Sequence, residues 1–286
     1  MVTSSTNDLV SMVEEFAKVV TDQRFTAPTN ESASTASTTT SSSVMNKSVS
    51  TTSLKDVRDV DKMNTTFHRM TPQKCESFRF WRQQMFDWSC MVIDSFGMDR
   101  EIVAICFDIL DRYVAKESSN PNAQEITRDD FQLFSMTSLY LAVKVLEPYP
   151  RKIGLDALVD MSRGFYTEED IAVTEREILM TLQWHISPPT ALAYSRMLWD
   201  LFPAQISSST KLTCSTLTEI AVADSFFLPH RKSLIGLASV LISARLHGLP
   251  DAAMREFLAQ IEDLIPIQGN DEFAAVFRQL ELLYCQ

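Results

Sequence analysis

The stretch FQLFSMTSLYLAVKVLE, Phe131–Glu147, decides how this chain folds. It has the length of a helix rather than a strand, and from Leu139 to Leu146 it is apolar on every face except at Lys144. A helix apolar all round belongs inside a bundle, with other helices covering each side. Lys144 is the exception that needs a physical account. An ammonium is costly to bury alone, so it either snorkels to the rim of the bundle or meets acceptors there. The rim is therefore a candidate binding surface.

Working outward, everything from Phe78 to the end reads as helices separated by short polar breaks, with little period-2 alternation, which is an all-α pattern. A first helix over Ser77–Phe96 places Phe80, Trp81, Gln84, Trp88 and Met91 at helical spacing before Gly97 ends it. A second starts at Asp99 and runs to Lys116 with Ile102, Ile105, Cys106, Ile109 and Tyr113 on its apolar face. The central helix is entered at Thr127, carries Asp129 and Asp130 where the helix dipole favours carboxylates, and is stopped by Pro148 and Pro150. Leu155–Met161 is a short fourth helix, and Thr167, with Asp170 three residues on, caps a fifth that runs to about Leu182.

After Pro188-Pro189 the pattern restarts, with helices over Thr190–Phe202, Ser208–Phe226, Pro229–His247, Asp251–Ile261 and Asp271–Tyr284. In this second group Leu234–Leu246, LIGLASVLISARL, is the most apolar segment and stands third, the place that Phe131–Glu147 holds in the first. Two tandem five-helix bundles follow. Before them, Ala27–Ser53 is almost entirely Ser, Thr, Ala and Asn, which cannot form a core and reads as a disordered tail. Short amphipathic helices are expected over Asp8–Val20 and Leu54–His68 on either side of it. The expected division is a largely disordered 1–53, a first bundle with its preceding helix over 54–187, and a second over 188–286.

Composition narrows the function. The chain of 286 residues carries a formal net charge of −11, which opposes a phosphate backbone as partner and favours proteins. Five cysteines, Cys75, Cys90, Cys106, Cys214 and Cys285, are widely spaced without a CxxC, so neither a disulfide framework nor a zinc site is expected. The four histidines lack metal-ligand spacing, and no GxxxxGK[ST], GxGxxG, HExxH or GxSxG is present, so no cofactor, metal or enzymatic chemistry is expected. An acidic start and no long apolar run lead us to expect neither targeting segment nor membrane span.

Four fragments then carry a resemblance: RQQMFDW at Arg82–Trp88, LDRYV at Leu110–Val114, LAVKVLE at Leu141–Glu147, and EREILMTLQWHISPPT at Glu175–Thr190. In order and spacing they resemble the N-terminal cyclin box, and the folded part resembles a two-box cyclin. The resemblance implies a non-enzymatic regulatory subunit of a cyclin-dependent serine/threonine kinase, forming a heterodimer with it in cell-cycle control, in the nucleus or cytoplasm. In that family the box packs against the kinase's mobile helix and holds it inward, so that the kinase's Lys–Glu pair forms. The family's paired lysine and glutamate, which contact the kinase backbone, fall on Lys144 and Glu175. Its surrounding apolar positions fall on Leu141, Val145, Leu179, Trp184 and Ile186, making a groove for a helix.

The resemblance also implies a buried pair tying the first helix to the second, Arg82 with Asp111, which Asp87 is near enough in sequence to join. Many cell-cycle cyclins dock Arg-x-Leu motifs of substrates and inhibitors on a patch of the first helix, whose positions fall on Trp81, Gln84, Met85 and Trp88. Gln84 departs from the aliphatic residue usual there, and Val145 from a common aromatic. The alternatives to kinase activation are a cyclin-fold interaction scaffold and a transcription-type adaptor. The latter requires a basic surface that the net charge disfavours.

Overall fold

The computed structural model describes residues 72–286 apart from 122–123, 148–152, 263–264, 266, 268 and 286, together with the side chains from Glu76 onward. The expected tail over 1–53 and the short helices over Asp8–Val20 and Leu54–His68 lie outside the described residues, as do Pro148, Pro150 and the side chain of Cys75. The described residues are all-helical. In chain order the α-helices are α1 Pro72–Ser95, α2 Glu101–Ser119, α3 Arg128–Leu146, α4 Leu155–Met161, α5 Glu168–Thr181, α6 Ala191–Asp200, α7 Ser208–Ala223, α8 Lys232–Leu246, α9 Asp251–Ile261 and α10 Asp271–Tyr284, with a 3-10 turn Ser225–Phe227 between α7 and α8.

Their ends follow local chemistry. α1 begins at Pro72, earlier than the apolar periodicity indicates, because proline is tolerated at the first helical position, where its missing N–H has no partner to lose. It closes on Gly97 at φ 62°, with the Gly97 N–H donating to Asp94 and the Met98 N–H to Ile93. α3 and α5 each start with a reciprocal capping box, Thr127 with Asp130 and Thr167 with Asp170. Glu147 turns extended directly after α3, as a residue before proline must. The helix expected from Pro229 starts instead at Lys232: Arg231 is extended, and its N–H donates to the Glu272 carboxylate at 2.9 Å.

The core divides between Leu182 and Ala191. One cluster packs Phe107, Ile109, Leu110, Phe131, Met136, Leu139 and Ala142 with α1 and α5, and the other packs Leu217, Leu237, Val240, Leu241, Phe257 and Phe273. α3 is buried at Phe131 and, apart from Tyr140, from Ser135 to Val143, and α8 is buried at every position from Leu234 to Ala244. Each bundle therefore wraps one apolar helix. Gly236 lets α8 approach α6 closely: a Cβ there would lie 2.7 Å from the Ala191 carbonyl oxygen. Polar links join the two bundles. Asp108 of α2 accepts from Arg112 at 2.8 Å and pairs with Lys232 of α8, while Glu101 accepts from the Thr190 hydroxyl at 2.8 Å and pairs with Arg196.

Candidate functional site

Lys144 sits in the last turn of α3, where the helix emerges from the bundle: Leu141 and Val143 are buried, whereas Lys144, Val145 and Leu146 are exposed. A cation in that position is favoured by the negative end of the helix dipole. The ammonium does not merely extend into water. It pairs with the Glu175 carboxylate of α5, and it lies 4.7 Å from the centre of the Tyr140 ring. Tyr140, absent from the sequence-based set, lies one helical turn before Lys144, and that i,i+4 spacing was its available signal. The Lys144 and Glu175 side chains retain 37% and 17% of their exposure, so the pair can still exchange hydrogen bonds with a partner.

The apolar positions around the pair separate into two layers. Leu141 and Leu179 are buried beneath it, Ile186 is half-buried against the first core, and Val145 and Trp184 face solvent. Trp184 is 66% exposed, which leaves a large apolar side chain in water. Its backbone explains its position. α5 ends with the Gln183 N–H donating to Met180 and the Trp184 N–H to Leu179, the closure that α1 achieves with Gly97. Here Gln183 and Trp184 take φ of 52° and 63° without being glycine, a backbone strain of about 1 kcal/mol or more for each. The Lys116 ammonium secures this end by donating to the Thr181 carbonyl at 2.8 Å.

A second pair is built in the opposite way. Arg82 of α1 donates from Nε to Asp111 Oδ1 at 3.0 Å and from Nη2 to Oδ2 at 2.9 Å, with both side chains almost fully buried. Its remaining Nη1 donates to the Ala223 carbonyl of α7 at 3.0 Å, and its carbon lies 4.9 Å from the Phe107 ring centre. This guanidinium therefore ties α1 to α2 and to the second bundle. Asp87 is not part of it. It lies on the exposed side of α1 and accepts from Gln83 at 3.0 Å, because five residues advance a helix by about 140°.

Trp81, Gln84, Met85 and Trp88 line one cleft of about 150 Å³ on α1. Arg128, Phe131, Gln132 and Met136 of α3 and Met161 of α4 form its other walls. Trp81 and Phe131 are 6.1 Å apart between ring centres, so the cleft floor is aromatic, and Gln84 is exposed at its edge. Among the described residues no group of three or more His, Cys, Asp and Glu is placed to hold a metal ion, and no helix is long and apolar enough to cross a membrane. Burial pushes the Cys90 thiol up to about 11 and raises Cys106 as well, so both stay protonated and weakly nucleophilic.

Residues 52–187 match the family described as the cyclin N-terminal domain. Over those residues the chain carries a cyclin N-terminal domain. The G1/S-specific cyclin CCN1 of Candida albicans is 27% identical over 194 residues, covering 61% of this chain and 27% of that cyclin. The G1/S-specific cyclin-E of Drosophila melanogaster is 37% identical over 109 residues, covering 38% of this chain and 14% of its own length, and the G2/mitotic-specific cyclin-2 of Medicago sativa is 28% identical over 159 residues, covering 56% and 45%. The chain thus spans less than half the length of each of these relatives. In fold it is similar to a viral cyclin from herpesvirus saimiri, with a TM-score of 0.63 at 17% identity over 82% of this chain and 95% of the viral one. Cyclins are regulatory rather than catalytic proteins.

Proposed function

We propose that this chain binds a cyclin-dependent serine/threonine kinase and activates it allosterically in cell-cycle control, in the nucleus or cytoplasm. The observation that carries the reading is the Lys144–Glu175 pair, held at the rim beside an exposed Trp184 whose backbone is strained into place. Lys144 donates to a carbonyl, and Glu175 accepts from an N–H, of the kinase segment beside its mobile helix. Trp184 and Val145 cover that helix with apolar surface, while Leu141 and Leu179 keep the pair from sinking into the bundle. A surface that fits only the inward helix shifts the kinase population toward the active state. Such a surface buries on the order of 2,000 Å². Substrate or inhibitor segments dock separately, in the cleft of α1, α3 and α4.

The test is a pull-down of wild type and of Lys144→Ala/Glu175→Ala from dividing-cell extract, followed by a histone kinase assay. Associated activity with the wild type and none with a folded double variant is expected. Recovery of no kinase by the wild type, under conditions where a control cyclin recovers one, would overturn the reading in favour of an interaction scaffold.

A further inference from the structure

The cleft on α1 has a charge character of its own. Apart from Arg128, every residue lining it is neutral, and no carboxylate lines it. Arg128 is exposed at the start of α3 and makes no ion pair among the described residues. The neighbouring carboxylates do not cancel it at the cleft. Asp130 is occupied by the Thr127 N–H at 2.9 Å and the Thr127 hydroxyl at 2.7 Å, and Asp129 does not line the cavity. Guanidinium offers five donors and no acceptor, and the exposed Gln84 edge together with Gln132 adds side-chain amides that can also donate. At about 150 Å³ the cavity is smaller than the roughly 300–1,000 Å³ of typical small-molecule sites, so it holds one bulky side chain of an extended segment rather than a free ligand.

We propose that this cleft docks an extended protein segment carrying a bulky aliphatic side chain beside a carboxylate. The aliphatic group lies on the Trp81, Trp88 and Phe131 floor, and the carboxylate meets Arg128 with Gln84 or Gln132. The proposal rests on the docking reading of this cleft and sets its charge preference: a segment pairing a leucine with an arginine would bring cation against cation, with no acid in the cleft to receive it. The net charge of −11 repels acidic segments at long range, but screening confines that effect to about 8–10 Å at physiological salt, and the contact with Arg128 is within that distance.

Fluorescence anisotropy on the purified full chain tests it, using short fluorescein-labelled peptides alike except at two places: leucine with glutamate, leucine with arginine, and alanine with glutamate, each with the charge before and after the apolar residue. The leucine–glutamate peptide is expected to bind about fivefold tighter than the leucine–arginine one, the size of one exposed charge pair. Alanine should abolish most of the binding. Arg128→Glu should invert the preference, Arg128→Lys should keep its direction, and about 1 M salt should erase it. Circular dichroism of each variant confirms folding, since Arg128 is exposed. Equal or tighter binding of the arginine peptide, or a preference indifferent to Arg128→Glu, overturns the proposal while leaving the docking reading intact. No binding by any peptide overturns both. The kinase reading is judged separately, by the pull-down with Lys144→Ala/Glu175→Ala.

Discussion

Two cation–carboxylate pairs, both joining neighbouring helices of the first bundle, divide the work of this chain. Arg82–Asp111 is bidentate, with 3% and 5% of its side chains exposed, and each of its atoms has a partner inside the protein. Lys144–Glu175 keeps 37% and 17% and leaves hydrogen-bonding capacity unused. Desolvation separates them. A buried charge must be compensated internally or the fold suffers, so the first pair serves the architecture. A rim pair contributes little to folding and stays available to bind something else.

The largest effect should come from breaking the buried pair. Asp111→Ala is expected to cost about 3–5 kcal/mol in urea denaturation, because it leaves the Arg82 guanidinium uncompensated, whereas Arg82→Met with Asp111→Leu should recover much of that. If Asp111→Ala costs no more than Lys144→Ala, the contrast between the pairs is wrong. Asp108 extends it to the junction of the bundles. Asp108→Ala should cost about 2 kcal/mol, less than Asp111→Ala, because Lys232 is partly exposed and can turn to water, while the nearly buried Arg112 loses a partner.

Glu272 sharpens the contrast with an intermediate case. Burial pushes its carboxyl up, but hydrogen bonds from His230 and the Arg231 N–H and the charge of Arg231 outweigh this and hold it at about 2, below the ordinary 4.5. A depressed folded value means that stability is present above the unfolded value and lost as pH falls toward the folded one. Melting curves should therefore fall between about pH 4.5 and 2, and Glu272→Gln, costing about 1 kcal/mol at neutral pH, should flatten that slope. The smallest effect on stability belongs to Lys144→Ala, at most about 1 kcal/mol by the same denaturation, and under the proposed function it should nonetheless remove kinase stimulation.

How far these features were legible depended on the range of the interaction. Helix positions came from apolar periodicity and caps: α4, α9 and α10 lie where Leu155–Met161, Asp251–Ile261 and Asp271–Tyr284 place them. The Thr127–Asp130 capping box repeats the Thr167–Asp170 spacing and was equally readable. Asp87 was misplaced because nearness in sequence was taken for nearness on a helix face. Asp108 was missed because an Asp–Arg pair four residues apart reads as a solvated face, and only Lys232, from the other bundle, makes it a junction. Nothing in one-dimensional pattern announces Gln183 and Trp184 in left-handed backbone, where glycine is the expected residue.

The sequence by itself determined that the chain is helical, that Phe131–Glu147 and Leu234–Leu246 lie at the centres of bundles, and that Lys144 is an anomaly that must snorkel to the rim or meet acceptors there. These are local properties, set by periodicity, capping chemistry and the cost of burying charge. Tertiary structure decided which acceptor Lys144 meets, which of two similar pairs is buried, and that Arg128 provides the charge of an apolar cleft. Those outcomes depend on which side chains from distant helices share one desolvated or exposed volume, and the spacing of residues along a chain does not specify that volume.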